Sequence, residues 1–327
     1  MQTIKINYCG FWNSFKEKDN FFYHILSRRF NVEISDDPDF VICSNRGKPF
    51  EYMKYDCVRI MFMGENLSPD FTVFDYVIGF DFLDFGDRYF RLPFAAYSDD
   101  GKPRKVTPLD RSAARDLLKE KKYFCNFIYG HPSSNGMREK LFEALNSYKP
   151  VVSPGSYLNN TGGGKKRCSW AEKHDYLRLS KFTIAGDSIR YPGFVTEKIV
   201  DPFIFHSIPV YFGSTKIYDD FNKDAFICCE NENDIERVVE EVRLLDCDDE
   251  AYIEMLTRHP LPTENYWNEM YANVERFLIN IFSQDRKYAY RRVRHFCAEQ
   301  HESYLKDYMR KYERTPEFIR KIKNKLS

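Results

Sequence analysis

The sequence has no apolar run approaching the ~20 residues that a membrane-spanning helix needs. Its start, MQTIKINYCGFW, lacks a charged opening followed by an apolar stretch, so no secretory leader is expected. Charge of either sign is not in excess: 49 basic residues stand against 49 acidic ones, which argues against a nucleic-acid partner. No cysteine spacing suggests a structural site. The nine cysteines (9, 43, 57, 125, 168, 228, 229, 247 and 297) include no C-x-x-C pair, and an odd count without a leader reads as reduced, mostly buried thiols in a cytoplasmic protein. Nor do the histidines form an H-x-x-x-H or H-E-x-x-H pair, so spacing assembles neither a metal site nor a Ser-His-Asp set.

Three suggestive strings lack their partners. The DFG at 84–86 has no glycine-rich loop or H-R-D segment with it. TGGGKKR (161–167) misses the first glycine of a phosphate loop, and Lys166 stands where a hydroxyl residue is required, so a loop whose lysines face a ligand is the most it offers. The D-x-D of DPD (37–39) precedes a strand and reads as a turn.

What is present is a large apolar fraction, 43%, on a chain of 327 residues, long enough for two domains or one large α/β domain. Aromatics reach 17%, material for cores and also for flat sugar-binding faces. IKINY, NVEIS, DFVICS, VRIMFM and YVIGF read as strands, with a helix over 21–30 between the first two. A polar, proline-broken stretch over 98–120 reads as a linker. A second cycle follows it: a strand over 122–130, a helix over 133–148, and strands at PVVSPG, KFTIAGDS, IPVYFGS and AFICCEN. The end of the chain is basic, aromatic and helical in pattern, divided by Pro316. It is either an amphipathic tail for anionic lipid or a helix pair packed on the body.

Candidate site residues follow from position. Glu65 and Asn66 come directly after the strand VRIMFM, and ligands of open α/β sheets sit beyond strand carboxyl ends. Glu65 is there either a general base or a turn residue in water. Arg138 lies in the first turns of a helix that follows a loop rich in Ser, Asn and Gly, suited to phosphate unless Glu139 or Glu143 pairs with it. In FVTEKIVDPFIF (194–205), Thr196 is a helix cap, and Glu197 favours that end. Lys198 opposes the helix dipole there, an inconsistency that an anionic ligand would remove.

The blocks FMGENLSPDFTVFDYVIGFDFLDFGDRYFRLP and PGFVTEKIVDPFIFHSIPVYFGS closely resemble the α-1,3-fucosyltransferases, especially the bacterial enzymes that build Lewis-type antigens. The resemblance implies an α/β GT-B fold: two Rossmann-like domains facing a central cleft, an acceptor domain over 1–117, a GDP-fucose domain over 118–286, and helices over 287–327. It implies inverting transfer of L-fucose from GDP-fucose to the GlcNAc 3-hydroxyl of a Galβ1-4GlcNAc-type oligosaccharide or lipopolysaccharide, with no catalytic metal or other cofactor. Glu65 matches the family's base, Arg138 and Lys198 its phosphate-binding cations, and Glu197 its ribose ligand. AGDSIRYPGF (185–194) departs from the pattern, because Asp187 and Ser188 stand where Glu and Asn are usual and Phe194 replaces Tyr. These positions count with the donor site, so another nucleotide sugar, or binding without turnover, is the alternative. Trp12 and Asn66 are the acceptor candidates, Trp12 being either a sugar platform or a core residue. By the same analogy, the tail gives a peripheral contact at the inner membrane face.

Overall fold

A strand buried on both faces needs apolar side chains at nearly every position, and FVICS and VRIMF supply them. The computed structural model describes every residue except 98–103, 163–167, 293–294, 317–318 and 320–327. Lys166 and the end of the tail therefore lie outside the described residues. The chain divides into two compact units. The first takes Met1–Leu92 and the described residues from Glu269 onward, and the second takes those between Pro93 and Asn268.

The first unit holds a parallel sheet of β1 (Thr3–Cys9), β2 (Asn31–Ile34), β3 (Phe40–Ser44), β4 (Val58–Phe62), β5 (Tyr76–Gly79) and β6 (Tyr89–Arg91), in the order β2-β1-β3-β4-β5-β6. Helix α1 (Phe21–Leu26) joins β1 to β2 and is capped by Asn20, whose side chain accepts from the Tyr23 amide. In the second unit, α2 (Arg111–Glu120) leads into β7 (Tyr123–Asn126), α3 (Met137–Tyr148), β8 (Val151–Val152), α4 (Trp170–Leu179) and β9 (Ser180–Gly186). Then come α5 (Glu197–Ile204), β10 (Ile208–Phe212), β11 (Ile227–Cys228), α6 (Ile235–Cys247) and α7 (Asp249–Leu256). The strand order is β11-β10-β9-β7-β8, again parallel, with Val210 opposite both Ile184 and Ile227. Helix α8 (Tyr266–Phe282) contains the boundary between the units, and α9 (Arg286–Ala289) and α10 (Phe296–Arg314) complete the first.

Two expectations change. The stretch read as a linker contains α2, capped by Asp110, whose Ala114 and Leu117 enter the second unit's core with Phe124 and Val242. The second unit thus takes the described residues from Pro93 onward, Arg104 and α2 among them, whereas sequence placed the boundary at 117/118. The described residues after 286 belong to the first unit. Leu305 and Met309 of α10 pack with Val41, Met61 and Val77 in the first unit's core, as a helix packed on the body requires. Tyr304 stays exposed on its outer side. Helix α10 ends at Arg314, two residues before Pro316. No helix among the described residues is long and apolar enough to cross a membrane. All nine cysteines are free, and Cys9, Cys43, Cys57, Cys125 and Cys229 are buried.

A buried charge cluster fixes this return of the chain. The Asp75 carboxylate accepts from the amides of Arg59 (2.7 Å), Arg291 (2.7 Å) and Arg292 (2.9 Å), and lies 3.3 Å from the Arg292 guanidinium. Arg59 reaches Glu302 of α10 at 3.0 Å. Asp75, Arg59 and Arg292 are all buried, so each charge depends on its neighbours rather than on water. Asp75→Ala is expected to destabilise the protein by about 3–5 kcal/mol, the usual cost of leaving a buried partner unpaired, measured by denaturant unfolding.

Candidate active site

In the first unit, strand order reverses between β1 and β3, and the loops beyond their carboxyl ends meet there. Gly10 follows β1 with φ +70°, and a Cβ on it would lie 2.0 Å from the Ser44 carbonyl oxygen. Only glycine permits that approach. Trp12 is half-buried, edge-on to Phe11 and Phe15, with the Arg46 guanidinium 5.9 Å from its ring centroid. Arg46, just past β3, donates through Nε to the Gly64 carbonyl at 2.9 Å and lies 3.5 Å from the Glu65 carboxylate. Gly64 has no room for a side chain, since a Cβ would fall 2.6 Å from Arg46 Cγ. Glu65 itself is 59% exposed, so its carboxylate is free to meet a hydroxyl group arriving from solvent. Asn66 adjoins it, half-buried.

The second unit reverses between β7 and β9, and the charged residues gather at that point. Tyr129, three residues beyond β7, donates to the Ile184 carbonyl at 2.9 Å and accepts from the Gly186 amide at 2.7 Å. Arg138 stacks on its ring at 4.2 Å. Gly186 ends β9 so close to Arg138 that a Cβ would lie 2.5 Å from Arg138 Cγ. Arg138 is only 5% exposed, its Nε has no hydrogen-bond partner, and among the described residues no carboxylate pairs with it. The neighbouring Glu139 is turned back onto the amide and hydroxyl of Ser133. A buried cation without an anion is costly, and a bound anion is the ordinary remedy.

At the start of α5, Thr196 Oγ1 accepts from the Lys198 amide, as the sequence predicts for a cap. Lys198 Nζ lies 3.1 Å from Glu197 and 3.3 Å from Thr196 Oγ1. Burial would raise the Glu197 carboxyl, but Lys198 and Lys173 outweigh it and hold the group down at about 2. Burial works against the Lys198 ammonium, yet Glu197, Asp187 and Tyr129 together raise its pKa. Burial pushes the Tyr129 phenol up to about 12, against the pull of both Arg138 and Lys198. Both cations thus act electrostatically on one phenol.

The departures from the family pattern take different positions. Asp187 is buried, accepting from Thr196 Oγ1 at 2.5 Å and from the Tyr211 hydroxyl at 2.8 Å. Phe194 is buried edge-on against Phe94, 5.8 Å between centroids. The Ser188 carbonyl accepts from Ser134 Oγ at 2.5 Å, which ties the turn after β9 to the loop that leads into α3. Arg138, Glu197 and Lys198 therefore supply charge, whereas Asp187 is bonded to two hydroxyls and Phe194 packs against Phe94. Sequence reading missed Arg46, Tyr129 and Tyr211. Arg46 follows β3 as Glu65 follows β4, so the strand-end rule that selected one residue applies equally to the other.

Residues 6–97 match the Alpha-(1,3)-fucosyltransferase FucT N-terminal domain, and residues 118–277 match the Glycosyltransferase family 10 (fucosyltransferase) C-terminal region. An α-(1,3)-fucosyltransferase FucT of Helicobacter pylori is 29% identical over 87% of this chain and 67% of its own length. A putative fucosyltransferase, R654, of Acanthamoeba polyphaga mimivirus is 30% identical over 42% of this chain and 24% of its own. A crystal structure of an α1,3-fucosyltransferase with GDP-fucose superposes with a TM-score of 0.64 at 25% identity, covering 88% of this chain and 93% of that one. The two Rossmann-like units are those of the GT-B fold.

The Glu197–Lys198 pair has a pH signature. A carboxyl held below its ordinary value of 4.5 contributes stability that is present above that pH and is lost as pH falls toward about 2. Glu197→Gln is therefore expected to lower the melting temperature most at neutral pH, with the gap to wild type narrowing below pH 4.5 in thermal melts.

Proposed function

The chain belongs to glycosyltransferase family 10, and on that footing we propose that it moves L-fucose from GDP-fucose to the 3-hydroxyl of GlcNAc in a Galβ1-4GlcNAc-type glycan. The observation that carries this reading is Arg138, a buried cation with an unpartnered Nε, stacked on the Tyr129 ring at the strand-order reversal of the second unit. A diphosphate supplies the anion that such a place lacks. The crystal structure of a relative with GDP-fucose supports that choice of donor.

In the proposed reaction, Glu65 takes the proton of the acceptor hydroxyl as its oxygen attacks the anomeric carbon of the fucosyl group. The bond from that carbon to the diphosphate oxygen breaks, and the electron pair leaves with GDP. A single displacement inverts the anomeric centre. Arg138 and Lys198 stabilise the charge growing on the leaving group, the work a divalent ion does elsewhere. Glu197, ionised at neutral pH, is the acceptor for the ribose hydroxyls. No catalytic metal is needed in this scheme.

A second reading keeps the reaction and changes the donor. It is favoured by Phe194, which brings a buried ring with no hydroxyl to a position where the family pattern has tyrosine. A protein that binds without turnover would need the phosphate cations but not the base, and so would be indifferent to Glu65.

Purified protein incubated with N-acetyllactosamine, GDP-fucose and EDTA is expected to give a product heavier by one deoxyhexose in the mass spectrum. Activity that vanishes in EDTA and returns with a divalent ion would overturn the metal-free scheme. Glu65→Gln is expected to lower kcat by roughly 10²–10⁴-fold, the range for loss of a general base, while GDP titrates as in the wild type. Undiminished transfer by that variant removes Glu65 from the role.

A further inference from the structure

Lysine is a mobile charge on a long stem, so an amine that must meet a diphosphate has to be aimed. Beneath Lys198 lies a chain of hydrogen bonds whose directions are fixed by chemistry. Thr196 has one hydroxyl proton, and it faces Asp187 Oδ1 at 2.5 Å. Asp187 is wholly buried and, when ionised, only accepts, so that proton is committed. The hydroxyl oxygen is left to accept from the Lys198 amide at 3.4 Å and from Lys198 Nζ at 3.3 Å. On the other side, the Tyr211 hydroxyl donates to Asp187 Oδ2 at 2.8 Å, and its own oxygen accepts from the Ser214 amide at 2.8 Å. Each of these polar atoms has a partner and a direction.

We propose that Thr196, Asp187 and Tyr211 are positioning residues, which hold the Lys198 amine where a diphosphate binds and do not themselves touch the nucleotide sugar. The proposal rests on the reading of Lys198 as a diphosphate cation. It assigns the carboxylate at 187 a place under the site, in contrast to the donor contact expected from its place in the sequence.

Several independent features support the arrangement. Gly213 must remain glycine, since a Cβ there would lie 2.2 Å from the Tyr211 hydroxyl and 2.7 Å from Asp187 Oδ2. The Asp187 amide donates to the Phe212 carbonyl at 2.8 Å, which locks the carboxylate's backbone to the end of β10. Burial pushes the Asp187 carboxyl up to about 6, and Lys198 with the Thr196 and Tyr211 hydroxyls opposes the rise. Without Thr196 in between, Lys198 has Glu197 as its close partner, 3.1 Å away, and that pairing draws the amine toward a carboxylate read here as a ribose ligand.

The test is a calorimetric titration of the full-length protein with GDP and, separately, with guanosine, which carries no phosphate. Lys198→Ala serves as the reference and is expected to weaken GDP but not guanosine. Thr196→Val keeps the branched shape and removes the hydroxyl. It is expected to weaken GDP by about 10- to 100-fold, the scale of a lost hydrogen bond to a charged group, and to leave guanosine unchanged. Thr196→Ser restores the hydroxyl and should recover GDP affinity. In the Lys198→Ala background, Thr196→Val should add little, since the group it aims is gone. Should Thr196→Val fail to fold, Tyr211→Phe carries the decision, with the same selective loss supporting the proposal and unchanged GDP affinity overturning it. GDP affinity retained in Thr196→Val but lost in Lys198→Ala sinks the positioning role alone. GDP affinity retained in Lys198→Ala removes the diphosphate reading and this inference together.

Discussion

Both sheets are parallel, and the strands β3, β4, β5 and β10 are buried on both faces, a constraint that decides where charge can reside. A charged side chain in the middle of such a strand would be stranded in the core, so ionised groups collect at strand ends. In the first unit the two ends serve different purposes. The amino ends of β4 and β5 hold the Asp75, Arg59 and Arg292 cluster, sealed by Glu302 and closed to water. The carboxyl ends of β3 and β4 hold Arg46 and Glu65, both partly exposed. One end spends its charges on stability, and the other keeps them available.

The second unit shows the same economy at closer range. Arg138 and Lys198 both influence Tyr129, but their surroundings differ. Lys198 is surrounded by oxygen atoms, from Glu197, Thr196 and, one bond further, Asp187. Arg138 has an aromatic face and an unpartnered Nε. A site with one compensated and one uncompensated cation has an unmet demand for negative charge, and that demand falls at the strand-order reversal where nucleotides bind such sheets. The rigid supports are glycines with no space for a side chain, Gly186 against Arg138 and Gly213 against Tyr211 and Asp187.

Much of this was legible in the sequence, for identifiable reasons. The apolar runs IKINY, DFVICS and VRIMFM gave β1, β3 and β4, because a buried parallel strand needs such a run and little else in a chain resembles it. The Thr196-Glu197-Lys198 triplet revealed a helix start and a misplaced charge, both local properties. Helix α2 was hidden, since Ala114 and Leu117 are its only buried residues and five of its ten residues are charged. The role of Asp187 was not legible either. Its partners Thr196 and Tyr211 come from separate stretches of chain, and only folding shows that the carboxylate lies under the lysine. The aromatic, basic end of the chain fitted a lipid-facing tail and a helix pair packed on the body equally by composition, and Leu305 and Met309 turn α10 inward.

That inward turn has a consequence for how the protein is made. The first unit's core lacks Leu305, Met309 and the counter-charge of Glu302 until α10 has left the ribosome. The second unit lies wholly within the earlier part of the chain, between Pro93 and Asn268. Synthesis therefore releases the second unit's complete sequence while the unit begun first still waits for its closing helix. The nascent sheet of β1–β6 must spend that interval with the part of one face that Leu305 and Met309 cover left open. Its vulnerability to misassembly is set by translation speed over the stretch from Asn268 to the end of α10 at Arg314.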